Sequence, residues 1–316
     1  MSPIDYPLVT VVIPAFGRSG LTRCAIDSVL DQTYQRVELI VVDDNGQATN
    51  ASRRLQSELS DLLAEGRVRY VQHKENSGAA VARNTGIREA SGSLLGFLDT
   101  DDYWYPEKLE RQVDAFLASH NSDTGIVYGK ELITFKNSDS RYIRNSRHTD
   151  FLKAQLLRGV ASTSSLLLTR DMLEEVGGFR NLPSSQESDL LLRAFSAGWK
   201  AVFVPEVLIR RSVGDVDSIT ASKTVADRSW LTVREPYLPL VPSRVRRRVR
   251  SNYHLLMANR YLKTGSRVSS SRQFLRAIAS DPFYFRVYGH CVKLLTGRRG
   301  TKWLRRAAVR LRNRIP

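Results

Sequence analysis

Four short runs of β-forming residues, separated by stretches of helical spacing, set the strongest limit on how this chain folds. Leu8-Val9-Thr10-Val11-Val12-Ile13 is continuous and apolar, as in a strand covered on both faces, and Pro14 ends it. A helical pattern follows, with Leu21, Cys24, Ala25, Ile26, Val29 and Leu30 on one side. Val37-Glu38-Leu39-Ile40-Val41-Val42 is the second strand. A helix then carries Leu55, Leu59, Leu62 and Leu63, and Val68-Arg69-Tyr70-Val71 is the third strand. Helix 79–90 leads to Leu94-Leu95-Gly96-Phe97-Leu98. This alternation predicts an α/β fold with a mostly parallel central sheet and helices on both faces. Ligands of such sheets bind beyond the carboxyl ends of the strands.

Three of those strand ends carry unusual polar groups: Pro14-Ala15-Phe16-Gly17-Arg18, Asp43-Asp44, and Asp99-Thr100-Asp101-Asp102. Three carboxylates within four residues repel one another unless a cation neutralises them. Oxygen ligands of this kind suit a hard divalent ion that also binds phosphate. Acids ahead of Pro106-Glu107-Lys108-Leu109 also suit a helix N-terminus. Spacing leaves both readings open. Between the strands, Asn76-Ser77-Gly78 through Arg83-Asn84-Thr85-Gly86 opens a helix with small residues, allowing close backbone approach. It contains neither GxGxxG nor GxxxxGK[ST], and tight helix–sheet packing accounts for its glycines equally well.

The ordered set Val9 to Phe16, Val41-Val42-Asp43-Asp44, Asn76 to Gly86 and Phe97 to Asp102 resembles the family 2 glycosyltransferases, which have the GT-A fold. The likeness continues through Val176-Gly177-Gly178-Phe179, Gln186 to Arg193, and Gly198-Trp199-Lys200. It covers roughly residues 7–212. The resemblance implies sugar transfer from a nucleotide-diphosphate donor, UDP- or GDP-linked, to a glycan or lipid-linked acceptor. It implies that Pro14, Ala15 and Phe16 line the base, with Arg18 alongside. Asp43 and Asp44 then belong to the nucleotide site, with Arg83 and Asp99 near them. Asp101 and Asp102 become the contacts to Mn2+ or Mg2+. A cation there stabilises charge on the departing diphosphate.

Glu187 falls where the family usually has a catalytic aspartate, the general base of an inverting displacement. The extra methylene is a departure, and Asp189, two residues on, is a substitute for the role. Capping of the helix that holds Leu190 to Leu192 is the competing reading. A second departure is the absence of a histidine near Leu208-Ile209-Arg210-Arg211-Ser212. Arg210 or Arg211 meets the phosphates instead, or forms a solvated surface pair.

Net charge is +16, and it is concentrated at one end. Residues 241–316 hold 20 Lys and Arg against one acid, Asp281, leaving residues 1–240 nearly neutral. Such different electrostatics predict a catalytic domain over 1–235 and a basic helical region over 236–316, with the proline-rich 236–242 at the boundary. Helical spacing recurs over 243–263 and 269–279. The final segment, Lys302 to Ile315, sets Leu304, Ala307, Ala308, Leu311 and Ile315 against a cationic surround. That pattern predicts an interfacial helix on an anionic membrane. A partner-binding face ranks behind it, and nucleic acid last.

Two cysteines make neither a disulfide framework nor a Cys-type zinc site, and the first residues lack a signal-peptide pattern. The expected location is therefore the cytoplasm, peripheral on the cytoplasmic face of the membrane. A polyprenyl-phosphate glycosyl synthase, a sugar nucleotidyltransferase and a non-catalytic membrane-bound relative are the alternatives.

Overall fold

A computed structural model describes residues 6–119, 121–135, 138–213, 229–285 and 287–288. The chain forms two compact units, Met1–Ser222 and Lys223–Pro316.

In the first unit, β1 (Val9–Ala15) runs parallel between β2 (Val37–Asp43) and β4 (Leu94–Phe97), with Val9 opposite both Val37 and Leu94. β1 continues through Pro14, which was expected to end it, and closes at Ala15. β3 (Arg69–Gln72) adds to β2 in parallel. Alternate β1 side chains serve opposite faces, as the two-residue period requires. Val9, Val11 and Ile13 pack with Ala25, Ile26 and Val29 of α1 (Ser19–Leu30). Leu55 of α2 (Asn50–Glu58) and Leu62 of α3 (Ser60–Ala64) close the same face. Val12 packs the other way, against Ala80 and Ala82 of α4 (Ala79–Glu89). A methyl group added at Gly86 of α4 would lie 2.2 Å from a Val12 methyl. Helix–sheet packing thus decides the reading of that glycine.

Beyond β4 the sheet becomes mixed. β5 (Asp102–Trp104) and α5 (Lys108–Ala118) precede the long β6 (Thr124–Phe135) and its hairpin partner β7 (Ser138–Arg144). α6 (Phe151–Leu157) and a 3-10 turn (Thr163–Ser165) lead to β8 (Leu166–Thr169), and α7 (Arg170–Glu175) and α8 (Gln186–Ser196) lead to β9 (Lys200–Val213). The order is β3-β2-β1-β4-β8-β6-β9-β5, with β7 on β6. β8 runs antiparallel to both β4 and β6, and β5 antiparallel to β9. Parallel pairing is therefore confined to the first four strands in the order and the β6–β9 pair. α8 supplies Leu190 and Leu191 to the core that holds Val12.

In the second unit, α9 (Ser243–Lys263) and α10 (Arg267–Ser280) form an antiparallel hairpin, close to the ranges that helical spacing predicts. Ala258, Phe274, Ala277, Tyr284 and Val287 form its core. Two buried serines let the helices approach: Ser251 donates to the Ala277 carbonyl at 3.0 Å and Ser270 to the Ala258 carbonyl at 2.8 Å. The segment Lys302 to Ile315, expected as an interfacial helix, lies outside the described residues.

Candidate active site

Where β1 ends, Ala15 is buried and Phe16 is 55% exposed, next to a turn in which the Gly17 N–H donates to the Asn45 side chain at 2.7 Å. Pro14 is half-buried. Arg18, at the start of α1, reaches Asp101 at 3.3 Å.

The two aspartates ending β2 are both buried and fully engaged. Asp43 accepts from the Asn45 main chain at 2.9 Å and side chain at 2.6 Å, and from the hydroxyls of Ser52 and Tyr70. Burial, reinforced by this bond to Asp43, pushes the Tyr70 phenol up to about 12. Asp44 accepts from the main-chain N–H groups of Ser77 and Gly78, each at 2.8 Å, and meets His73 Nδ1 at 2.8 Å. Asp44 therefore pins the loop that starts α4. Gly78 takes φ +92° there, a conformation glycine adopts without strain.

Arg83 is buried one turn into α4. Its two terminal nitrogens part, one to Asp99 at 2.5 Å and the other to Gln186 at 3.0 Å. Its guanidinium stands 5.4 Å from the Phe179 ring centre. This one side chain ties the carboxyl end of β4 to the first residue of α8.

Each carboxylate of the aspartate cluster meets an arginine: Asp99 has Arg83, Asp101 has Arg18, and Asp102 has Arg211 at 3.3 Å. These guanidinium groups offset part of the mutual repulsion of the three carboxylates. Among the described residues no three His, Cys, Asp or Glu side chains converge on one point. Asp102 diverges from Asp101. It is buried, lies directly opposite Arg211 in the β5–β9 ladder, and accepts from the Ser164 hydroxyl at 2.6 Å. Burial, with Asp99 and Asp101 adding to it against the opposing Arg211, pushes its carboxyl up to about 8. Asp101 is raised by burial and then by Asp99, while Arg18 opposes.

Arg211 is half-buried and paired, not a solvated surface cation. It contacts Asp102 and, at 3.5 Å, the fully buried Glu131 of β6. Burial raises the Glu131 carboxyl. Arg144, Arg211 and hydrogen bonds from Asn145 and the Ser162 N–H outweigh it and hold Glu131 below the usual range. Burial works against the Arg211 charge, and Asp102, Glu131, Asp99 and Glu187 together more than restore it. Arg210 stacks on Tyr103, 5.0 Å from its ring centre. The signal for Glu131 was present as an acid inside an apolar strand, Ile126 to Phe135; Ser164 carried none.

The two α8 carboxylates occupy different settings. Ser185 precedes the helix in a left-handed conformation and makes no side-chain cap. Glu187 is half-buried, accepts only a long bond from the Ser188 hydroxyl, and forms no ion pair among the described residues. Asp189 is buried between Arg193 at 2.8 Å and Arg180 at 3.5 Å. Arg193 also donates to the carbonyls of Val176 and Gly178, so Asp189 fastens that turn.

The sequence pattern described as glycosyl transferase family 2 matches residues 10–177. An "Uncharacterized glycosyltransferase" of Rickettsia felis is 36% identical over 190 residues, 58% of this chain. The match spans 31% of that relative, about a third of its length. The "UDP-Glc:alpha-D-GlcNAc-diphosphoundecaprenol beta-1,3-glucosyltransferase WfgD" of Escherichia coli is 34% identical over 134 residues, 42% of this chain and 49% of the relative. Among solved structures, the mannosyltransferase PcManGT of Pyrobaculum calidifontis, in complex with GDP-Man and Mn2+, has a TM-score of 0.52 at 18% identity. That alignment covers 93% of this chain and 89% of the other, and it shows a shared GT-A fold.

Proposed function

Because this chain belongs to glycosyl transferase family 2, we propose that it moves a sugar from a UDP- or GDP-linked donor to a hydroxyl of a glycan or lipid-linked acceptor, with inversion, during glycan assembly. The observation that carries this reading is the Arg83 bridge, which draws Asp99 and the Glu187-bearing helix to one edge of the sheet. Both nucleotides appear among the similar proteins, in the names of the Escherichia coli relative and of the PcManGT complex.

Pro14, Ala15, Phe16 and Asp43 take the base in this reading, with Arg18, Asp44, Arg83 and Asp99 shaping the surrounding site. Mn2+ or Mg2+ fits Asp101: this carboxylate is partly exposed and is matched by one arginine contact at 3.3 Å, leaving an oxygen donor in an acidic setting. Asp102, buried against Arg211 and the Ser164 hydroxyl, backs the cluster and is less open to a cation than Asp101. A divalent cation at Asp101 would stabilise charge building on the departing diphosphate.

Glu187 is the general base, taking the proton of the acceptor hydroxyl as it attacks the anomeric carbon. Among the described residues Glu187 has no ion pair, whereas two arginines hold Asp189, which supports that choice over Asp189. The basic region 236–316 holds the enzyme peripherally on an anionic, cytoplasmic membrane face. Among the described residues no helix is long and apolar enough to cross a bilayer.

The test is purified protein mixed with UDP- and GDP-sugars plus Mn2+ or Mg2+, with released nucleoside diphosphate measured. Metal-dependent release that Asp101→Ala abolishes is expected. Turnover indifferent to that substitution overturns the reading, and release of pyrophosphate would identify a nucleotidyltransferase.

A further inference from the structure

The α9–α10 hairpin carries a groove of about 450 Å³ lined by Arg247, Arg250, His254, Arg276, Ala279 and Ser280. Three guanidinium groups meet there with no carboxylate in the lining. Asp281 is the single acid from residue 241 to 316, and it is already bound to Arg248 at 2.5 Å. Among the described residues Arg247, Arg250 and Arg276 form no ion pair. Like charges gathered without a counter-charge repel one another, and an anion in the groove relieves that cost. His254 adds a polar wall, its Nδ1 held by the Gln273 side chain at 2.8 Å.

The surroundings identify the source of the anion. Val268 and Leu275, seven residues apart and so on one side of α10, are 67% and 62% exposed. Just past Ser280, Phe283 and Phe285 are 84% and 85% exposed. Free phosphate accounts for the arginines and leaves these apolar side chains without a purpose. Nucleic acid accounts for arginines and stacked rings, but not for exposed Val268 and Leu275. A bilayer surface uses all of them: lipid phosphates in the groove, and aliphatic and aromatic side chains in the interface.

We propose that the α9–α10 hairpin docks this protein on an anionic phospholipid bilayer, seating lipid phosphates in the Arg247–Arg250–Arg276 groove while Leu275, Phe283 and Phe285 enter the headgroup layer. The inference rests on the membrane-facing reading of the basic region given above. It moves the contact from the terminal segment to a defined groove.

The experiment is flotation of the full chain with vesicles of phosphatidylglycerol and phosphatidylcholine in equal parts, and with phosphatidylcholine alone. Binding to the mixed vesicles only is expected. Arg247→Gln with Arg276→Gln should weaken it by roughly fivefold per arginine removed. Phe283→Ser with Phe285→Ser should weaken it too, while deletion of 297–316 leaves most of it in place. Arg53→Gln with Arg54→Gln removes the same charge from an exposed helix and serves as the control, with thermal unfolding reporting that every variant is folded. Equal losses from the groove and control pairs, or none from the groove pair, overturn the groove while leaving the membrane reading intact. No binding by the unaltered chain overturns both. Tight binding of a short RNA, abolished by the same groove variants in a chain that ignores vesicles, also overturns the proposal.

Discussion

The guanidinium of Arg83 lies 2.5 Å from the carboxylate of Asp99, so the interior of α4 is fastened to the carboxyl end of β4. Its other terminal nitrogen holds Gln186, next to Glu187, and one side chain thereby sets the spacing between the two acidic segments. Lysine cannot reproduce this fork, because its charge sits at a single nitrogen. Arg83→Lys should fold normally and lose about 10²-fold in kcat/KM through misplacement of the acids. Nucleoside diphosphate release, with circular dichroism to verify the fold, measures it.

Glu187→Gln and Asp189→Asn should separate chemistry from scaffolding. Loss of a general base lowers kcat by about 10²–10⁴-fold, with donor affinity and thermal stability retained. Asp189→Asn leaves Arg193 without its buried partner, and breaking such a pair costs about 3–5 kcal/mol. Urea unfolding distinguishes the two, and a stable, inactive Asp189→Asn would reverse the assignment.

Asp102 makes stability fall with rising pH. Its folded carboxyl titrates near about 8, whereas an unfolded aspartate titrates near about 3.9. The folded chain therefore keeps a proton that the unfolded chain has released. The contribution is complete below the unfolded value and is lost as pH climbs toward the folded one. Asp102→Asn removes this dependence, so its urea midpoint should gain on that of the parent chain between about pH 5 and pH 8. A constant difference across that window would show Asp102 to be ionised throughout.

Gly86→Ala tests the closeness of α4 to the sheet. The added methyl meets Val12 at 2.2 Å, well inside contact distance. Overpacking of this kind costs about 1–3 kcal/mol. Pairing it with Val12→Ala, which opens the space, should recover part of the loss in thermal unfolding.

Much of the first unit was legible because the strands from Val9 to Phe97 alternate with helical spacing and are rich in β-forming residues, and three of them, β1, β2 and β4, end next to the polar residues proposed for the site. β5, β6, β7 and β8 were missed: they are short or only partly apolar, and β5 and β8 pair antiparallel with strands distant in sequence. The run read from sequence stopped at Ile13, two residues short of the end of β1, since a proline near the end of a strand removes one donor and still pairs with Val42.

Local periodicity determined where strands and helices run, which faces are apolar, and that acids gather at strand ends, because burial imposes a pattern on neighbouring residues. It carried no information on which cation meets which acid. Arg18 and Asp101 are 83 positions apart, and Arg211 and Asp102 are 109 apart. Those partners were chosen by strand order and by the antiparallel β5–β9 register, which sets Asp102 directly across from Arg211. Tertiary structure alone thus decided that Asp102 is a buried, arginine-backed support while Asp101 stays partly open, two roles for adjacent residues of identical chemistry.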